Sequence, residues 1–268
     1  MCHSCAPTGT TTVTDRTTLT TLSFRAAAID DVPELMRDHY RLRYQVYCLE
    51  RKFLPAANFP QELEMDDFDR HAVHVGAMDA AGTLAGTARV VKVTAAGPGL
   101  PLFQHCKIFA EETELLDPDN TVVEISRLSM SRGYRRRQLH SLPERRDVRR
   151  DVFLALAKAV YQATKRLSAT HWLVATETSL QRLLAHYGFP FRVIGPECDY
   201  GGPVSPYLMN LAEFDQVILS CRVPELDDFV VGLEPEYQPR PTRTTHPLGV
   251  GDAPCDVPRF PGRLVESL

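Results

Sequence analysis

Carboxylates and guanidiniums recur in four short segments of this 268-residue chain. Glu124-Ile125-Ser126-Arg127, at the end of an apolar run, completes a set begun upstream. Its earlier members lie in Leu42-Arg43-Tyr44-Gln45-Val46-Tyr47, in Glu64-Met65-Asp66-Asp67-Phe68-Asp69 and in Thr87-Ala88-Arg89. Such groups, brought to one place, have two uses. They can form an ion-pair network that pins the 59–70 loop to the fold, with no chemical duty. Alternatively a carboxylate takes a proton from a substrate while arginines hold the polar ends of that substrate through paired hydrogen bonds. Both readings stand for Asp66, Asp69, Arg89 and Arg127.

Two further constellations carry chemistry. Ser131-Arg132-Gly133-Tyr134-Arg135-Arg136-Arg137, followed by Arg145, Arg146, Arg149 and Arg150, puts eight arginines within nineteen residues. A local patch of this kind is either a solvated face or a docking surface for an anionic partner; no aromatic-interleaved single-strand pattern or DNA-reading motif accompanies it. His105-Cys106 invites an acyl relay. Neighbours on one strand point to opposite faces and cannot pair as thiolate and base, so Cys106 reads as a small buried residue.

The order and spacing of these elements, with Phe103-Gln104-His105-Cys106 between them, resemble the acyl-homoserine-lactone synthases. Over roughly residues 30 to 215 the chain looks like their relatives, the PEP-CTERM/exosortase-associated acyltransferases. The resemblance implies a GNAT-type N-acyltransferase moving a fatty acyl group from a thioester carrier to an amine. It implies Glu124 as the general base, and Arg43, Tyr47, Asp66, Asp69, Arg89 and Arg127 as residues that bind the acceptor or order the acidic loop around it. It implies that Arg132, Gly133, Arg135, Arg136 and Arg137 meet the phosphopantetheine or acidic surface of the donor, acyl carrier protein or coenzyme A. No tightly bound cofactor or metal is expected. The acceptor reads as an amino acid or similar small amine, with a lactone synthase using S-adenosylmethionine as the alternative, and a non-catalytic acyl-carrier-binding module as the alternative of another class. Where many lactone synthases carry Trp after the first helix, this chain has Phe53.

Composition bounds these readings. A formal charge of -4 argues against a general nucleic-acid binder. No run of 18 or more apolar residues spans a membrane, and the Thr-rich segment Met1 to Leu22 lacks the apolar core of a signal peptide; a cytoplasmic protein is the simplest expectation. Seven scattered cysteines suit reduced thiols. Cys2-His3-Ser4-Cys5 offers part of a zinc site but has no second close pair.

The elements that must position these groups follow from periodicity. Residues 1–25 read as a disordered N-terminal segment, 26–232 as one acyltransferase domain, and 233–268, with seven of the twenty prolines, as a Pro-rich tail. Asp30 or Asp31 caps a first helix with Pro33 in its first turn, running past Arg43 to Tyr47. His71–Met78 and Leu84–Val93 form a hairpin about Gly82, and Val122–Met130 is a strand. Strict alternation there puts Glu124 and Arg127 on opposite faces, and a β-bulge would reunite them. A long amphipathic helix follows from Asp147 to Leu167, then a strand over Trp172–Ala175, a helix capped by Thr178 or Ser179 that stops at Gly188, and strands at Val193-Ile194 and Val204–Leu211. The sum is an α/β, GNAT-like fold: a mixed, mostly antiparallel sheet with helices on both faces. Trp172, Val174, Met209 and Leu211 are candidates for the acyl pocket.

Overall fold

The computed structural model describes residues 24–93, 99–112, 115, 117–135, 147–221 and 223–241. Within them the chain runs β1 (Arg25–Ala28), α1 (Pro33–Tyr44), β2 (Ala72–Met78), β3 (Leu84–Lys92), β4 (Val122–Met130), α2 (Arg132–Arg135), α3 (Val148–Arg166), β5 (His171–Thr176), α4 (Thr178–His186), β6 (Arg192–Val193), β7 (Cys198–Asp199), β8 (Pro203–Asn210), α5 (Leu211–Ser220) and α6 (Pro224–Val230). The sheet order is β1-β2-β3-β4-β5-β8-β6, with β7 paired to β8. The β4–β5 pair is parallel and the other pairs are antiparallel. This is the mixed sheet that the pattern of elements predicts.

The hairpin β2–β3 closes as expected. Asp79 Oδ1 accepts the N–H groups of Ala81 and Thr83, at 3.0 and 2.9 Å, and Gly82 takes the left-handed conformation that such a turn requires. Asp147 caps α3 through the N–H groups of Arg149 and Arg150. Buried Val152, Leu156 and Val160 of α3 pack in the main core with Val75, Ala88 and Val90 of the sheet. Gly188 ends α4 at φ +82°.

Several expectations need correction. Val32, not Asp30 or Asp31, occupies the N-cap position of α1 and gives no side-chain cap. Asp30 instead accepts the backbone N–H of His74 and pairs with its ring Nδ1. Glu177 precedes α4, without a side-chain cap, in place of Thr178 or Ser179. His105 and Cys106 lie after a 3-10 turn, Pro101–Gln104, rather than on a strand. Cys106 is not a reduced thiol: it is joined to Cys198, 92 residues away in sequence, a proximity that no local spacing announces. Cys48 is a free, buried thiol. The helices α5 and α6 were not foreseen, and Leu226 and Phe229 of α6 enter the main core. At the start of the Pro-rich segment Leu233 is buried and the Glu234 N–H donates to Gln162 of α3. Residues 1–23, with Cys2 and Cys5, and residues 242–268 lie outside the described residues. Among the described residues no helix is long and apolar enough to cross a membrane.

Candidate active site

The sheet splits at Glu124. β4 and β5 pair only at Val122–His171, Val123–Trp172 and Glu124–Leu173, so past Glu124 the two strands lose their register and diverge. On the other side of β4, the register with β3 slips between Ser126 and Ser129, and Arg127 and Leu128 have no partner residue there. Arg127 sits at φ +55°, a conformation that costs a non-glycine residue about 1 kcal/mol or more and persists where the surroundings impose it. This is the bulge that brings Glu124 and Arg127 to a common cavity.

That cavity has a volume of about 600 Å³. Phe153, Leu156, Ala157 and Val160 of α3, Trp172 and Val174 of β5, and Leu180 and Leu184 of α4 line most of it. Its polar wall holds Glu124, Ser126, Arg127, Asp66, Gln104, His105 and Tyr200. Of the residues expected around an acyl chain, Trp172 and Val174 line the cavity, whereas Met209 and Leu211 are packed into the core. The parting of β4 from β5 opens space beside β5, and β8 stays zipped to β5 along its length.

Glu124 is 1% exposed and accepts the Leu102 N–H at 2.8 Å. Burial pushes its carboxyl up from 4.5 to about 7, against the pull of that hydrogen bond and of the Arg89 and Arg127 charges. A carboxyl poised near neutrality can exchange a proton in either direction.

Behind the polar wall the other charges close on one another. Arg43, fully buried, donates to Glu64 at 2.5 Å and to Asp69 at 2.7 Å. Arg89 donates to Asp66 at 2.6 Å, to Asp69 at 3.0 Å and to the Ser126 hydroxyl at 3.1 Å, while its Nη2 is buried without a partner. Arg127 reaches Glu64 and Asp66, both at 3.1 Å, and lies over the Tyr47 ring. His74 stands between Asp30, at 2.7 Å, and Asp69, at 3.2 Å. Burial lowers its pKa, but these two carboxylates raise it by more, so the net shift is upward. Asp69 is opposed by burial yet held well below the usual carboxylate range by His74, Arg43 and Arg89. Asp66 and Asp69 also form a reciprocal capping box at the start of the 3-10 turn Asp67–His71. The network therefore orders the 59–70 loop.

The site residues expected from the sequence thus divide. Arg43 faces its own carboxylates and does not line the cavity; Asp69 and Arg89 stand with it. Asp66, Arg127 and Tyr47 belong both to the network or its margin and to the cavity wall, and the Tyr47 hydroxyl donates to the Leu128 carbonyl. Tyr47 sits on a π-helical extension of α1, Gln45–Glu50, a distortion common at functional positions. Glu64, His74 and the Leu102 N–H were missed. Glu64 stood unremarked inside the acidic segment, and the other two become visible only through contacts between distant segments. Arg132 and Gly133 are exposed on α2, and Arg135 pairs with Glu50. Arg136, Arg137, Arg145 and Arg146 lie outside the described residues. Arg150 spends its charge near Glu225 and Asp228 of α6.

Residues 42–143 match the model of the acetyltransferase (GNAT) domain. The fold of this segment is GNAT-like. The split strand and the bulge fall inside the matched segment. Among solved structures the chain is similar to the coenzyme-A-dependent acyl-homoserine-lactone synthase BjaI with S-adenosylmethionine and isopentyl-CoA, at 16% identity and a TM-score of 0.51, covering 78% of this chain and 88% of that one. It is also similar to FeeM, an N-acyl amino acid synthase from uncultured soil microbes, at 14% identity and a TM-score of 0.49, covering 73% and 95%. At 16% identity the likeness to BjaI shows the fold alone. A search of curated proteins finds no match.

Proposed function

We propose that the GNAT domain transfers a fatty acyl group from an acyl carrier protein or coenzyme A thioester to the amine of an amino acid or similar small amine, in the manner of the N-acyl amino acid synthases and their exosortase-associated relatives. The observation that carries this reading is a buried carboxyl raised to about 7, Glu124, standing where the sheet parts beside an apolar cavity of about 600 Å³. A short acyl group needs no such space, and an alkyl chain fills it with apolar contact.

The chemistry then assigns itself by position. An incoming ammonium meets the Asp66 carboxylate on the cavity wall, and Glu124, as carboxylate, takes the proton that must leave before nitrogen can attack. The backbone N–H groups of the bulge at Arg127 and Leu128 are the donors we assign to the tetrahedral oxyanion. The C–S bond breaks, and the departing thiolate receives a proton, closing the balance at one amide and one thiol. Arg43, Arg89 and Asp69 act at one remove by fixing the loop that carries Asp66. Arg132 and Gly133, exposed at the start of α2, are offered to the donor's phosphates. A lactone synthase would use the same proton transfer on S-adenosylmethionine.

Thiol release from acyl carrier protein and coenzyme A thioesters, assayed against a panel of amino acids and S-adenosylmethionine, tests the reaction. Mass spectrometry of the lipid extract from cells expressing the chain identifies the product. An N-acyl amino acid is the expected species, a lactone would select the alternative acceptor, and no thiol release with any pair would refute acyl transfer.

A further inference from the structure

The hydrogen bond that Glu124 accepts comes from Leu102, in the 3-10 turn Pro101–Gln104. Cys106 follows this turn, two residues past Gln104, and its N–H donates to the Leu102 carbonyl at 2.8 Å. Cys106 is disulfide-bonded to Cys198 of β7. After β7 come Tyr200, Gly201 and Gly202, all lining the cavity. The Tyr200 ring stacks on His105 with centroids 3.9 Å apart, and Gly201, at φ +74°, backs against Phe53. One covalent link thus joins the segment that holds the Glu124 carboxyl to the turn that walls its cavity.

We propose that Cys106–Cys198 is a redox-dependent positioning clasp for the acyl-transfer site. Closed, it keeps the Leu102 N–H on Glu124 and the Tyr200 turn against the cavity; opened, it releases both. The inference rests on the acyl-transfer reading for its activity readout. Closure oxidises two thiols to a disulfide. The two electrons and two protons pass to a low-molecular-weight disulfide, which becomes two thiols through a mixed-disulfide intermediate. In a reducing compartment a disulfide of this kind is more often switched than permanent.

The clasp has a specific signature. Glu124 is faced by Arg89 from β3, Arg127 from β4, Asp66 from the acidic loop and Tyr200 from the clasped turn. The two arginines and Asp66 are held by the ion-pair network, which opening leaves intact. Opening changes the Leu102 hydrogen bond and Tyr200, together with the hydrogen bond between Tyr200 and Arg127. Loss of a donor to a carboxylate favours its protonated form. The acidic limb of the rate profile therefore moves to higher pH on opening, and from a midpoint of about 7 a rise of one unit cuts turnover at pH 7 about fivefold, recovering in alkali.

The experiment compares the oxidised protein, the reduced protein and the Cys106→Ala/Cys198→Ala double variant. Peptide mapping after alkylation of the unreduced chain should recover a cross-linked Cys106–Cys198 peptide. Single-turnover pH profiles and an infrared titration of the Glu124 carboxyl, with Glu124→Gln as the blank, should give one raised midpoint for the reduced protein and the double variant. Glutathione disulfide should restore the wild type and leave the variant unchanged. Alkylation of both cysteines in the unreduced chain, or one midpoint for all three states, would overturn the clasp. Should the double variant not fold, a Cys106→Ser/Cys198→Ser pair takes its place, because reduction of the wild type also opens the disulfide at Cys221. The infrared midpoint needs no turnover, so a chain inactive in every state would refute the acyl-transfer reading while the clasp is still judged by its carboxyl.

Discussion

Glu124→Gln separates a catalytic carboxyl from a structural one, because the two roles move stability and rate in different directions. The substitution keeps the volume and an acceptor for the Leu102 N–H, and removes the site that takes a proton. Raising a carboxyl from 4.5 to about 7 costs the folded state about 3 kcal/mol once the group is ionised, at about 1.4 kcal/mol per tenfold. The sign follows from linkage. Below pH 4.5 both states hold the proton and there is no penalty. As pH rises through 4.5 the unfolded chain ionises first, so the wild type loses stability up to about pH 7 and then levels off. The Gln variant escapes this loss. It should therefore match or exceed the wild type in stability at pH 8 by up to about 3 kcal/mol, while single-turnover acyl transfer drops by about 10²-fold or more. Urea unfolding at pH 5 and pH 8, run beside rapid-quench thiol release, reads both. A variant as active as the wild type, or one whose activity falls only in step with its folded fraction, would refute Glu124 as the base.

Asp69→Asn should leave the buried Arg43 and Arg89 short of a counter-charge and cost about 3 to 5 kcal/mol in denaturant unfolding, with activity following the folded fraction. Because Asp69 is held well below 3.8 in the fold, its contribution is present above that value and is lost as pH falls beneath it; a melting curve for the variant should be flat across that acid range. The raised pKa of His74 has the opposite sense: its stabilisation is complete below 6.5 and declines as pH rises through the higher folded value. His74→Gln should thus abolish the alkaline fall in melting temperature that remains in the wild type after Glu124 has ionised. Ala157→Leu intrudes into the cavity from α3 and should shift preference toward shorter acyl chains in competition between thioesters, read by mass spectrometry, with the fold retained. Gly195→Ala would put its Cβ 2.7 Å from Pro206 and closer still to the Lys107 carbonyl, so unfolding should show a loss of about 1 to 3 kcal/mol.

The alternation and periodicity of residues 71–93, 122–130 and 147–188 determined the hairpin, the central strand, the long helix and the stop at Gly188, because each is specified by side chains within a few residues of one another. The charged segments around Arg43, Asp66, Arg89 and Arg127 were visible for the same reason, as residue types in a recurring order. Which of those charges face a cavity and which face one another was decided only by the tertiary structure. Alternation alone would have separated Glu124 from Arg127. The slip of β4 against β3 and its parting from β5 depend on two neighbouring strands, and no local window contains them. The raised carboxyl of Glu124 arises from burial that outweighs a hydrogen bond from Leu102, 22 residues away, and the fate of Cys106 from Cys198, 92 residues away. Desolvation and covalent pairing are properties of proximity in space, and a linear chain records proximity only along itself.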